Sequence, residues 1–148
     1  MLNIIINTDY LKSWNGIFKL LQVVLGAICI GIIVNNYNPT LDSLREKETY
    51  FLIATSSYFI GTSIILICCL ISPLTAAILP KTILERLYNI FATIMILSAS
   101  LSLILDISLT NTKLNNHDFL LAASICGLIN SILYIFSICI SFMTKWIK

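Results

Sequence analysis

The stretch YFIGTSIILICCLIS, residues 58–72, carries no charged side chain at any angle around a helix, and its reading decides the fold. A helix at the surface of a soluble bundle shows a polar face opposite its apolar stripe. This one offers nothing more polar than small hydroxyls and the Tyr58 phenol, and VVLGAICIGIIV (23–34) reads the same way. At about 1.5 Å per residue, about 20 apolar residues cross a hydrocarbon core of about 30 Å. Four runs are long enough, near 17–35, 50–72, 84–105 and 119–143. The whole chain agrees, being 58% hydrophobic and 11% charged, whereas an ordinary soluble domain is about one quarter charged. The expected fold is an all-α membrane protein, a four-transmembrane-helix bundle with short loops.

An even number of spans puts both termini on one side, which sorts the basic residues into two sets. Lys12, Lys19, Lys81, Arg86, Lys145 and Lys148 fall on the side of the termini, against Arg45, Lys47 and Lys113 on the other. The positive-inside rule then makes the termini and the central loop cytoplasmic. Trp14 and Trp146 lie beside the cytoplasmic lysines, at headgroup level, while Tyr37, Tyr50 and Phe119 are candidates for the outer belt. The N-terminus, MLNIIINTDYLK, lacks the basic, apolar and small-residue regions of a cleaved signal peptide, so the first span is expected to be retained. One membrane domain over 12–144 is expected, with short cytoplasmic tails at 1–11 and 145–148.

Working outward, the charged cluster in LPKTILERLYN (79–89) reads as a boundary. Thr82 and Glu85 have the T-x-x-E spacing of a capping box, in which the threonine side chain accepts from the N3 amide and the glutamate reaches back to the cap amide. The third span then starts at Thr82, Pro80 ends the preceding helix, and Arg86 snorkels toward the headgroups with Tyr88 at the same depth. The alternative makes Glu85 an intramembrane carboxylate that carries a proton or cation, because ionisable groups at membrane depth are functional by default. Asp106, at the other end of that span, is expected to project into the loop. The first outer loop, 35–49, reads as a turn followed by a short charged helix; neither outer loop carries a glycosylation sequon.

All five cysteines, Cys29, Cys68, Cys69, Cys126 and Cys139, lie in the spans, so no extracellular disulfide framework is expected. Cys68, Cys69 and Cys139 fall near the cytoplasmic ends of their helices, where reversible palmitoylation is a candidate; the competing reading makes them small packing residues. His117 is the sole histidine, no metal-ligand spacing or nucleophile motif appears, and the basic residues are too scattered for nucleic acid. The expectations are no enzyme, no cofactor, no metal, no nucleic acid and no evident small-molecule substrate. The helices offer contact surface instead. Ala27 and Gly31, Ser57 and Gly61, Ser98 and Ser102, and the row Ala123, Gly127, Ser131 are small residues four apart, which let helix backbones approach in lipid. Gln22, Asn89 and Asn130 need partners at depth. These features either hold the four helices together or join the protein to itself or to other membrane proteins.

GIFKLLQVVLGAICIGIIV (16–34), with a lysine and then a glutamine at its inner edge, resembles the first helix of MARVEL-domain proteins. ILERLYNIFATIMILSASLSLIL (83–105), opening on a glutamate and an aromatic, resembles their third. The resemblance covers roughly 12–144. It implies a role in membrane apposition and traffic, as for the myelin-and-lymphocyte, physin and chemokine-like-factor groups and the insect singles-bar protein of myoblast fusion. The expected function is a non-enzymatic tetraspan organiser of plasma or vesicle membrane, acting in trafficking, apposition, junctions or fusion. The alternatives are a small transporter or channel subunit, against which stands the lack of evident paired intramembrane charges, and an accessory subunit of a larger complex.

Overall fold

The computed structural model describes residues 8–35, 46–109 and 117–146, with side chains as far as Met143. It contains a short α1 (Thr8–Lys12), the long α2 (Trp14–Asn35) and α3 (Glu46–Ile71), a short α4 (Pro73–Ile78), a 3-10 turn (Leu79–Lys81), and the long α5 (Ile83–Leu109) and α6 (His117–Trp146). The four long helices are each apolar and long enough to cross a membrane, so the all-α four-span bundle stands. Arg45, Lys113, Tyr37 and the turn expected in the first outer loop lie outside the described residues.

The helices form a ring in which α2 packs on α3 and α6, and α5 packs on α3 and α6. That leaves α2 facing α5, and α3 facing α6, across the diagonals. One end of the bundle, here the terminal end, gathers α1, α4, the start of α5 and the end of α6; the opposite is the loop end. Each long helix buries a narrow seam. In α5 the seam is Glu85, Asn89, Ala92, Ile96, Ala99, Leu103 and Ile107, a spacing of three and four that keeps one line of a helix turned to its neighbours. The seam of α2 is Gly16, Lys19, Gln22, Gly26, Cys29 and Ile33.

These seams invert the soluble pattern. The interior takes many small and polar residues beside a few large apolar ones, while Leu20, Val24, Ile28, Ile53, Ile60, Ile64, Phe91, Ile94 and Leu101 face outward. Lipid tails are as apolar as leucine, so large aliphatic side chains gain little by turning inward, and helices associate through close packing and hydrogen bonds. Gly127 shows the packing: a Cβ there would collide with the Ser100 hydroxyl and the Phe51 ring. The core also changes along the bundle. At the loop end it is dry, built from Cys29, Ile33, Phe51, Ala54, Ala99, Leu103, Ile107, Leu120 and Ala123. Toward the terminal end it becomes polar.

The second span ends at Ile71, as the apolar run to 72 indicates, but two assignments differ from the sequence reading. The stop expected of Pro80 is made by Ser72 and Pro73: Ser72 Oγ accepts from the Thr75 amide at 3.3 Å and Pro73 opens α4. Pro80 lies buried in the 3-10 turn, where its carbonyl accepts from Ser141 Oγ at 2.8 Å. The third helix runs on to Leu109, so Asp106 sits within its last turn. Apolar runs measure the hydrocarbon and not the helix, which continues through the headgroup layer wherever its backbone remains bonded.

Candidate functional site: a polar centre crossing four spans

Lys19 lies in the second turn of α2 and is 1% exposed. From there its chain crosses the diagonal to α5, where Nζ donates to Asn89 Oδ1 at 2.8 Å and pairs with Glu85 Oε1 at 3.3 Å. Glu85 is itself 6% exposed. The same ammonium stands 5.6 Å from the centroid of the Tyr88 ring and 5.9 Å from that of Tyr134, within reach of a cation–π attraction. The other diagonal is crossed beside it. Thr62 Oγ1 of α3 is 2.6 Å from Tyr134 Oη of α6 and 2.9 Å from Tyr88 Oη. Tyr88 Oη also lies 2.9 Å from the Tyr58 carbonyl, to which it donates. All four spans therefore meet in one polar centre, in which the Lys19 ammonium joins the two hydrogen-bonded sets through the Tyr88 and Tyr134 rings.

A second tier surrounds it. Gln22 Nε2 donates to Ser137 Oγ at 2.8 Å, tying α2 to α6. Arg86 Nε donates to Ser141 Oγ at 3.0 Å, and its guanidinium stands 5.3 Å from the Phe142 ring, tying α5 to the end of α6. Four sealed side-chain atoms have no hydrogen-bond partner among the described residues: Gln22 Oε1, Thr55 Oγ1, Glu85 Oε2 and Asn130 Oδ1. The Glu85 carboxylate thus spends one oxygen on Lys19 and leaves the other unmatched.

Several sequence-level assignments change. Half of the capping box is present, since the Glu85 amide lies 3.5 Å from Thr82 Oγ1. The return bond is pre-empted, because the Thr82 amide already donates to the Leu79 carbonyl at 3.0 Å. The carboxylate is free to turn inward, and the α2–α5 ion pair corrects the expectation that paired intramembrane charges are missing. Lys19 and Tyr88 likewise face the interior and not the headgroups. Arg86 is half-buried against Ser141. The signal available in sequence was the placement of Lys19 and Gln22 three apart on α2 and of Glu85 and Asn89 four apart on α5, each pair on one helix face.

The other candidates separate by exposure. Ala123, Gly127 and Ser131 are buried in the seam of α6, and Gly61 makes room for Tyr88, whose Oη would stand 2.6 Å from an added Cβ. Ala27, Gly31 and Ser57 are exposed, and nothing lies within 4 Å of a Cβ built on Gly31. The close approach on α2 is made instead by Gly26, against Phe59. Cys68 and Cys139 are exposed, but Cys69 is buried beside Tyr10 and Leu66, which closes its sulfur to an acyl donor in this conformation.

Residues 10–140 match the family model described as the membrane-associating domain, MARVEL. The chain is also similar to Protein singles bar of Drosophila melanogaster, 32% identical over 95 residues, which is 64% of this chain and 54% of that protein. It therefore spans about half the length of that relative. No solved structure matches. With the family match running from α1 to the last turns of α6, over four membrane-crossing helices joined at a common polar centre, the chain belongs to the MARVEL family of membrane-associating proteins.

Proposed function

We propose that the protein is a non-enzymatic membrane organiser, with both termini cytoplasmic, that acts through its lipid-facing helix surfaces in trafficking, apposition, junction formation or fusion of plasma or vesicle membranes. The observation that carries this reading is the division of the small residues. One set packs the bundle internally, while Ala27 and Gly31 remain on the outer face of α2 among Leu20, Val24, Ile28 and Val34. A small-xxx-small step flanked by β-branched residues admits a second helix at close range. Similarity to Protein singles bar and membership of the MARVEL family support a role in membrane apposition.

The test is self-association in lipid. In nanodiscs or proteoliposomes, single-molecule photobleaching should find multimers, and replacing Ala27 and Gly31 together with leucine should convert most of them to monomers while leaving the helical spectrum unchanged. A strictly monomeric parent protein, together with unaltered traffic and cell contacts on deletion, would remove the proposal.

The buried ion pair favours a second reading, a small transporter or channel subunit. Against it, Lys19 neutralises Glu85 one to one, and a carboxylate held in this way is a weak carrier of a further cation. Proton or cation flux into liposomes that disappears in Glu85→Gln would promote this reading over the first.

A further inference from the structure

At the terminal end, α1 packs on α2 and α3. This helix has five residues, of which Thr8, Asp9 and Lys12 are exposed and Tyr10 is buried. Its surface pair, Lys12 with Asp9 at 3.6 Å, is almost fully solvated and contributes little. Among its described residues, α1 is held down by Tyr10, with the half-buried Leu11 packed against the same cluster. The ring lies in a cluster with Leu66 and Cys69 of α3, edged by Val23, Ala76 and Leu79. The ring packs with Cys69 in that cluster, and the Glu85 charge is close enough to act on the phenol. Burial, with those two neighbours adding, pushes the phenol up from its ordinary range, so Tyr10 is a neutral stopper at any physiological pH.

The connection from α1 to α2 is a single residue. Ser13 lies between the helices, its Oγ donating to the Tyr10 carbonyl at 2.6 Å and accepting from the Gly16 amide at 3.2 Å. Gly16 is the tight point: a Cβ there would run into the Tyr10 carbonyl oxygen. A segment held by one buried ring and one half-buried leucine, with a one-residue junction at its base and a solvated outer face, belongs to the low-stability end of a fold, where local opening needs little free energy. Deeper in, Glu85 Oε2 and Gln22 Oε1 lack partners while α1 is in place, and water admitted from the terminal end would supply them.

We infer that α1 is a hinged cap: Tyr10 closes the terminal-end mouth of the polar centre, and lifting it uncovers Cys69 and admits water to Lys19 and Glu85. Cys69 is the reporter. In full-length protein in nanodiscs, where both faces are open to reagent, a variant retaining only Cys69 is treated with a charged, membrane-impermeant maleimide. Cys69 should react slowly in the closed protein, and at least tenfold faster in Tyr10→Ala, which removes the stopper. Gly16→Ala, which keeps the stopper but wedges the hinge, should accelerate it in the same way. A parallel variant retaining only Cys29, buried at the loop end, should stay unreactive in both backgrounds. Equal Cys69 rates in the parent and both variants would overturn the inference. So would simultaneous exposure of Cys29, because α1 would then be holding the whole bundle together and not covering one mouth.

Discussion

At the scale of single residues, the asymmetry between Lys19 and Glu85 organises the terminal half of the protein. The lysine has a carboxylate, an amide oxygen and two aromatic faces, whereas the carboxylate has the lysine and an unmatched oxygen. Removing one partner of a buried pair leaves an uncompensated charge, at a cost of about 3–5 kcal/mol, while replacing both with apolar groups of similar volume is often neutral. The cation–π and amide support make Glu85→Leu the milder single change and Lys19→Met the harsher, since Glu85 has no second counter-charge among the described residues. The double replacement should recover most of either loss. Thermal unfolding of the four proteins in one detergent checks the order, and a double variant no more stable than Lys19→Met would refute it. This pair was only half legible in sequence. Both residues stood out as charges near span ends, where a cap and a snorkelling lysine satisfy them equally well. The competition was settled by the Leu79 carbonyl, which takes the Thr82 amide and frees the carboxylate, and no sequence pattern announces a bond of that kind.

At the scale of helices, existence and type were legible because chain-long apolarity is a strong signal, but the direction each seam faces was not. Four-residue spacing selects Ala27 with Gly31 and Ala123 with Gly127 alike, yet only the second pair is buried. The difference comes from where Lys19 and Gln22 must point: satisfying them turns Gly26 and Cys29 inward on α2 and leaves Ala27 and Gly31 outside. Size should therefore act oppositely at the two glycines. Gly127→Leu drives a side chain into Ser100 and Phe51 and should destabilise the bundle by about 1–3 kcal/mol or more. Gly31→Leu meets open space and should leave the unfolding temperature unchanged. A comparable loss at both positions would show that Gly31 packs within the protomer. The break at Ser72 is a smaller instance: serine before proline is a helix-start signature, masked in the sequence by the apolar run on which it closes. Ser72→Ala should cost about 1 kcal/mol, read as increased proteolysis between α3 and α5.

For the molecule as a whole, the bundle is two materials in series, dry at the loop end and hydrogen-bonded at the terminal end. Its orientation is expected to follow the basic residues, which stand five to three in favour of the terminal side once Lys19 is drawn inside. Epitope tags at either terminus should be reached by antibody only after permeabilisation of the cell; detection in intact cells would reverse the proposed topology. Acylation should obey the same geometry, with Cys68→Ser and Cys139→Ser reducing palmitate incorporation and Cys69→Ser leaving it unchanged, because the last sulfur is covered by Tyr10.

The diagonal reach of Lys19 also sets a clock on the protein's birth. Asn89 follows Lys19 by 70 residues, so at about 5–20 residues per second of synthesis the lysine waits roughly 4–14 s for its partner to be made. During that interval the first span must hold its place in the bilayer on its aliphatic side chains alone, with the ammonium stretched toward water. The Lys19 pair consequently cannot close before α5 is made, and a nascent chain interrupted before Glu85 emerges would expose a lone lysine in its first span, a mark by which an unfinished molecule differs from a finished one.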